Sequence, residues 1–391
     1  MPHDDAARRR ILIGVSAAAF LGPFTQTVYT PSLPELRDVF HVDTLLVNLT
    51  ISLYTAILAV SNFVVGPIAD SRGRRATLLV GLAVFSLGSL GCLLAHSYAG
   101  FLAGRVLQAA GISSGALVAA AVIGDLYAVH ERGRAMSVYQ TLTFLGPVFG
   151  PVVGGLIAAH GDWRWAFALL AAAGAAIWAY NALRLVETRP AGLVPVRLSV
   201  ATLRRILGDR AASSLLLIGF SQFFGYYVFL VFLPTLLATL FAIPMASRGF
   251  FFVPLTAGIL VGINVGGRWQ RRAPPARIVG RCSWGIGLAV LLLFLCLALQ
   301  WVTLPLLALF LAVYGLLLGI SLPVQTALLV GRFDAERATA VGLYNFSRFA
   351  GAAAGPLIGG WVEGAAGTNA VFLVLGLLLC VAAWTIRRNL R

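Results

Sequence analysis

The sequence predicts an all-α membrane protein of twelve transmembrane helices, built as two pseudo-symmetric six-helix bundles. Three observations lead there. The 391 residues are 59% hydrophobic and only 11% charged, too few charges to cover a water-facing surface, so lipid is the expected solvent. A ten-residue stretch, Gly146-Pro147-Val148-Phe149-Gly150-Pro151-Val152-Val153-Gly154-Gly155, returns 205 residues later as Gly351-Ala352-Ala353-Ala354-Gly355-Pro356-Leu357-Ile358-Gly359-Gly360. The same register pairs Glu131-Arg132 with Glu336-Arg337, Tyr139 with Tyr344, Phe144 with Phe349 and Phe167 with Phe372, which marks a duplicated module. A single polar stretch then separates the two copies.

The spans follow in order as runs long enough to cross a bilayer core as helices. In the first half they are Ile11–Thr30, Leu45–Ala69, Ala76–Ala95, Phe101–Tyr127, Ala135–Ala159 and Ala166–Val186. In the second they are Ala212–Phe241, Gly249–Gly267, Arg281–Trp301, Thr303–Gly331, Ala338–Gly360 and Thr368–Ile386. Residues 1–186 thus form one bundle and 212–391 the other. Residues 187–211, with Glu187, Arg189, Arg197, Arg204, Arg205, Asp209, Arg210, Pro190 and Pro195, read as a cytoplasmic linker. A two-half plan of this kind is common among secondary transporters, so transport is the leading expectation.

All 29 basic residues are Arg. With a cytoplasmic N-terminus, Arg8, Arg9, Arg10, Arg72, Arg74, Arg75, Arg132, Arg134, the linker arginines and most arginines of the second half fall inside. Arg37, Arg164 and Arg248 fall outside. The positive-inside rule therefore places both termini in the cytoplasm, and the expected location is the inner (plasma) membrane. Topology accounts for the net charge of +15, and with no basic stripe or aromatic interleaving no nucleic-acid partner is expected. Arg8-Arg9-Arg10 before an apolar run has the look of a signal peptide, but the run continues to Thr30 and reads as an uncleaved first helix. Cys92, Cys282, Cys296 and Cys380 lie irregularly within apolar segments, as reduced packing residues would. There is no zinc spacing and no phosphate-cradling loop, so neither an ATP-driven pump nor an enzyme is expected, and no cofactor or metal.

Between spans two and three stands Gly66-Pro67-Ile68-Ala69-Asp70-Ser71-Arg72-Gly73-Arg74-Arg75. Gly73 permits a tight reversal, and Asp70 and the arginines set opposite charges at a helix boundary. This stretch resembles the G-x-x-x-D-R-x-G-R-R/K loop signature of the major facilitator superfamily, with Ser71 where that family commonly has Arg. Arg105-Val106-Leu107-Gln108 followed by Gly111 resembles the family's R-x-x-Q-G pattern, with Ala109 in place of Gly. Gly146, Pro147, Gly150, Pro151, Gly154 and Gly155 resemble the G-x-x-x-G-P-x-x-G-G signature of its drug:proton antiporter branch, where small residues allow close helix approach and the prolines bend the chain. The same glycines also fit tight packing alone.

The resemblance implies the major facilitator fold and a cytoplasmic conformational latch made of Gly66, Asp70, Gly73, Arg74 and Asp125. Gly262–Arg271 reads as its degenerate second-half counterpart, without an acid, so the latch is expected to be one-sided. Arg105 and Arg348 place full charges within the spans; Arg105 lies near the outer end of its helix, where it could snorkel. Many bacterial polyspecific drug exporters of the superfamily carry an acid in a D-x-Y-x-P pattern in the first helix, and here the matching stretch is Thr27-Val28-Tyr29-Thr30-Pro31. Without that carboxylate, neutral or anionic substrates are favoured, and a proton must travel on Asp125, on Glu35 or Asp38, or on the substrate. Gln26, Tyr29, Arg105, Gln222, Tyr226, Tyr227, Gln325, Asn345 and Arg348 are the expected substrate-binding residues, combining stacking faces with hydrogen-bonding tips. Leu33-Pro34 and Leu233-Pro234 mark corresponding positions, pairing Gln26 with Tyr226 by pseudo-symmetry. The expected protein is a monomeric, proton-driven exporter of a small amphipathic molecule working by alternating access; a nutrient or metabolite importer or uniporter of the same superfamily is the alternative.

Overall fold

The computed structural model describes residues 5–127, 129–189, 200–269, 273–333 and 337–390, and among these it is helical with no strand. The middle of the expected linker, with Pro190, Pro195 and Arg197, lies outside the described residues, as does Arg271. Among the described residues, eleven helices are long and apolar enough to cross a membrane. The remaining expected span, Ala338–Gly360, falls in the 30-residue helix Arg337–Ala366. At 1.5 Å per residue its length is ample, but its glycines, Asn345, Arg348 and Glu363 dilute its hydropathy.

The chain divides into two compact units. The first comprises Met1–Asp43, Leu53–Arg197 and Met245–Gly249, and the second Thr44–Ser52, Leu198–Pro244 and Phe250–Arg391. The first holds α1 (Asp5–Thr27), α2 (Leu33–Phe40), most of α3 (Thr44–Arg72), α4 (Arg74–Leu93), α5 (Tyr98–Leu126), α6 (Val129–His160) and α7 (Arg164–Arg184). The expected first span does not run unbroken to Thr30. It ends at Thr27, a 3-10 turn over Thr30–Ser32 follows, and α2 resumes with Pro34 in its first turn. Pro31 lacks the N–H that an α-helical continuation would use. Helix α1 packs on α5, α6 and α7, and α4 packs on α5 and α7. Near the loop between α4 and α5, Phe101, Trp163 and Phe167 meet edge to face, with ring centroids 5.2–5.8 Å apart.

The second unit contains α8 (Val200–Gly208), α9 (Arg210–Phe241), α11 (Val253–Trp269), α12 (Pro275–Ala298), α13 (Leu304–Arg332), α14 (Arg337–Ala366) and α15 (Thr368–Asn389), while the short α10 (Met245–Arg248) belongs to the first. Its contacts repeat those of the first: α9 lies on α14 as α1 lies on α6, and α12 lies on α15 as α4 lies on α7. Small residues make the first pairing possible. A Cβ on Gly355 would stand 2.6 Å from the Phe224 carbonyl oxygen, and one on Gly146 would stand 2.8 Å from the Phe24 nitrogen. Gly351 faces the Phe220 carbonyl in the same manner, while Gly150 and Gly154 face Thr27 and Val28. The repeated glycines therefore bring paired backbones into direct contact, which apolar surface alone cannot do in lipid. The start of α3 belongs to the second unit, where Asn48 Nδ2 donates to the Pro356 carbonyl at 3.2 Å.

Candidate functional site

The loop after α3 makes a charge cluster in the first unit. Gly73 has φ of +99°, a conformation that only glycine adopts without strain, and it turns the chain directly from α3 into α4. Arg74 is left pointing back: it donates from NH1 to Asp70 Oδ1 and from Nε to Asp125 Oδ2 at 3.2 Å. Its side chain is 7% exposed, and those of Asp70 and Asp125 are 26% and 13% exposed, so the pairing is shielded from bulk water. Asp70, Gly73, Arg74 and Asp125 thus come together as the motif implies. Gly66 does not join them; a Cβ there would meet nothing within 4 Å.

One member of this cluster was not foreseen. Glu187, just past α7, accepts backbone N–H groups of Arg74 at 2.9 Å, Arg75 at 3.2 Å, Thr188 at 3.1 Å and Arg189 at 3.0 Å. It therefore satisfies otherwise unpaired donors at the start of α4, where the helix dipole favours an anion. Thr188 Oγ1 donates to Asp125 at 3.2 Å, and Arg189 NH1 donates to the Ser71 carbonyl at 2.6 Å, so the start of the linker is fastened to the loop. Partial burial pulls the Glu187 carboxyl upward, but its four backbone donors outweigh that and hold it below the ordinary carboxylate range. A lowered value means the clamp stabilises the fold at neutral pH and is lost as pH falls through the folded-state value. Glu187→Gln is expected to lower the thermal midpoint at pH 7, at a cost of about 1 kcal/mol for this solvent-screened group. The deficit should begin to shrink below about pH 4.3, where the unfolded carboxyl takes up its proton, and vanish once the pH has fallen through the lower folded-state value; thermal unfolding across that range measures it.

A second polar group lies inside the same unit. Arg105 on α5 is fully buried, so it does not snorkel as its position near the helix end allowed. Its guanidinium sits between two rings, 4.4 Å from the Tyr29 centroid and 4.2 Å from that of Tyr54. It donates to Gln108 Oε1 at 2.7 Å and to Tyr29 Oη at 3.3 Å, and Gln108 Nε2 donates to Ser89 Oγ at 2.8 Å. Among the described residues no carboxylate pairs with it. Its charge is held by aromatic faces and neutral oxygens. The sequence flagged Arg105 and Tyr29 but missed Tyr54 and Ser89, which come from other helices and carry no motif. Gln26 is also buried on α1, but no hydrogen bond joins it to this group among the described residues.

In the second unit Gln222 Oε1 accepts from Gln325 Nε2 at 2.9 Å and from Ser321 Oγ at 3.2 Å, and Gln325 Oε1 accepts from Tyr344 Oη at 2.9 Å. These bonds cross-link α9, α13 and α14 in the interior. Tyr314 Oη donates to the Gln222 carbonyl at 2.6 Å. Beside them the Arg348 guanidinium lies 3.9 Å from the Phe223 centroid and 5.5 Å from that of Tyr344, and its NH1 donates to Asn345 Oδ1 at 3.3 Å. Tyr226 and Tyr227 are buried and meet edge to face, 5.5 Å apart. Among the described residues each unit thus carries an interior arginine stacked on aromatic rings.

The antiporter-type stretch explains Thr27. Its hydroxyl is directed to carbonyls, at 3.0 Å from Pro23, 3.3 Å from Phe24 and 3.4 Å from Gly146, and Gly150 leaves room for it. The side chain at the acidic position of the exporter pattern is therefore a packing contact between α1 and α6, with no charge to offer.

The model for the Major Facilitator Superfamily matches residues 15–283 and 276–389. The chain is 33% identical over 165 residues to the MFS-type transporter tstD of Talaromyces stipitatus, covering 42% of this chain and 30% of the relative. It is 33% identical over 191 residues to the multidrug resistance protein MdtL of Salmonella paratyphi B, covering 49% of this chain and 48% of that one. The chain spans about half the length, or less, of these curated relatives. Among solved structures, a bacterial homologue of the human lysosomal transporter Spinster, inward-facing and occupied, superposes with a TM-score of 0.81 at 17% identity, over 99% of this chain and 97% of that one. The family match over nearly the whole chain, together with the loop cluster and the repeated helix pairing, establishes that this chain belongs to the major facilitator superfamily.

Proposed function

We propose that the chain is a secondary transporter that exports a small amphipathic compound, neutral or anionic, by alternating access in exchange for protons. It acts in the inner membrane as a monomer with both termini in the cytoplasm, and residues 1–186 and 212–391 move against each other about residues 187–211. The observation that carries the charge preference is the sign of the interior. Arg105 and Arg348 are its cations, each stacked on aromatic rings with no carboxylate partner, while no Asp or Glu is fully buried among the described residues. Export is supported by the glycine-proline stretch that α6 lays on α1, and by similarity to MdtL, named as a multidrug resistance protein.

Thr27 favours a second reading. With its hydroxyl committed to carbonyls and no interior acid beside it, the chain could be a uniporter or an importer that needs no proton exchange. Inside-out proteoliposomes separate the two. An exporter driven by protons accumulates substrate when the lumen is acidified, whereas a uniporter only equilibrates it and a proton-coupled importer drives it the other way. Asp125→Asn is expected to uncouple proton movement from substrate movement, because Asp125 combines a helix-end position with the Arg74 pairing; Glu35→Gln and Asp38→Asn are the next in order. If neutralising each of the three leaves coupling intact, none of these acids carries the proton and it travels on the substrate; a wild type that moves substrate with no accompanying proton movement refutes proton exchange.

A further inference from the structure

The junction of α8 and α9 meets the end of α15 around a cavity of about 240 Å³ in the second unit. Leu207, Arg210, Ser213, Leu217, Thr385 and Asn389 line it. Pockets for drug-sized ligands run from ~300 to 1,000 Å³, so this one suits something smaller. Its wall is braced: Asn389 Nδ2 donates to Ser214 Oγ at 2.9 Å, and Ser214 Oγ donates to the Arg210 carbonyl at 2.8 Å. The Arg210 guanidinium itself is exposed and has no acid or hydrogen-bond acceptor among the described residues. The neighbouring acid cannot neutralise it. Asp209 is held by Arg332 through two contacts of 2.8 Å and also caps α9 through the Ala212 N–H at 2.8 Å. Arg332 and backbone donors outweigh its partial burial and keep its carboxyl below the ordinary range, so it stays committed to that pairing.

The position of the cavity selects the ligand. Arg210 opens the apolar stretch of α9 and Asn389 closes that of α15, so the cavity sits where two membrane-crossing helices reach the interface. Trp384 is 51% exposed one turn before that end, with the Arg388 guanidinium 5.4 Å from its ring, an arrangement suited to the headgroup level. Leu377, Val381 and Trp384 are exposed at spacings of four and three residues, an apolar stripe running down α15 from the cavity rim. A ligand matching all of this has a small anionic head for Arg210 and an apolar tail for the stripe. We propose that the cavity binds the headgroup of an anionic phospholipid from the cytoplasmic leaflet, with Arg210 as the phosphate donor and an acyl chain along α15. The leaflet assignment rests on the topology proposed above; the binding itself does not depend on the transport reading.

The full chain in phosphatidylcholine nanodiscs, with and without phosphatidylglycerol, tests this without any flux measurement. Phosphatidylglycerol should raise the thermal midpoint of the wild type and be retained through native mass spectrometry. Arg210→Gln should abolish most of that shift and retain the lipid about tenfold less, the size of one charge-assisted hydrogen bond, with Arg210→Lys restoring part of it. An Arg210→Gln protein that keeps the full phosphatidylglycerol shift overturns the site. So does a midpoint that falls equally in pure phosphatidylcholine, which would make the arginine structural. Soluble glycerol phosphate added in phosphatidylcholine alone should have no effect; if it reproduces the shift, the ligand is a free phosphate compound and the lipid assignment is wrong.

Discussion

Asp70→Asn is expected to abolish transport while leaving membrane insertion and folding largely intact. Asp70 is the more exposed carboxylate of the Arg74 pairing, and removing its charge sacrifices almost no packing. Arg74 keeps Asp125 as a partner at 3.2 Å, so no buried cation is orphaned. The consequence falls on the balance between conformations, because a latch that closes and releases needs each of its charges in one state more than in the other. Arg74→Gln is the contrasting case. It leaves two shielded carboxylates facing each other without a cation, and breaking such a pairing costs about 3–5 kcal/mol, enough to lower expression and thermal stability as well as flux. The measurement is substrate flux per correctly inserted molecule, with thermal midpoints alongside. Wild-type flux in a well-folded Asp70→Asn protein refutes the latch.

The second large effect concerns substrate charge. Arg348→Ala is expected to weaken binding of a carboxylate- or phenolate-bearing substrate roughly ten- to a hundredfold, which corresponds to a charge-assisted hydrogen bond of ~1.5–3 kcal/mol. A neutral apolar substrate should lose far less. Arg348 spends its charge on the faces of Phe223 and Tyr344 and on one neutral oxygen, so an anion entering beside it would meet a cation with no competing carboxylate among the described residues. A lipophilic cation would meet repulsion in a low-dielectric interior. Binding assays with matched anionic, neutral and quaternary ammonium ligands decide the matter. Tight ammonium binding that is insensitive to Arg348→Ala would show that the arginine is structural and that Tyr226 and Tyr227 serve cations.

The sequence by itself determined the helical membrane class and the duplication, and it determined the chemistry of the loop after α3. These are legible because they are local or periodic: an apolar run of bilayer length, a repeat at fixed spacing, and an Asp and an Arg four residues apart on either side of a glycine. The same locality explains the glycine stripe of α6 and its copy on α14, although which helix each stripe meets became visible only in the fold. Tertiary structure alone decided the partners. Arg105 reads as a substrate-binding cation near its helix end, yet the rings of Tyr54 from α3 and of Tyr29 from near the end of α1 both lie against its guanidinium. Glu187 reads as one more linker charge, yet the end of α7 carries it to the four backbone N–H groups around the start of α4 and the linker. Gln222 and Gln325, more than a hundred residues apart, become one hydrogen-bonded pair because α9 and α13 approach in the second unit. Side-chain pairs separated by whole helices leave no spacing for a sequence to show; burial makes them, since a polar group removed from water must find its partner wherever the packing of helices brings one.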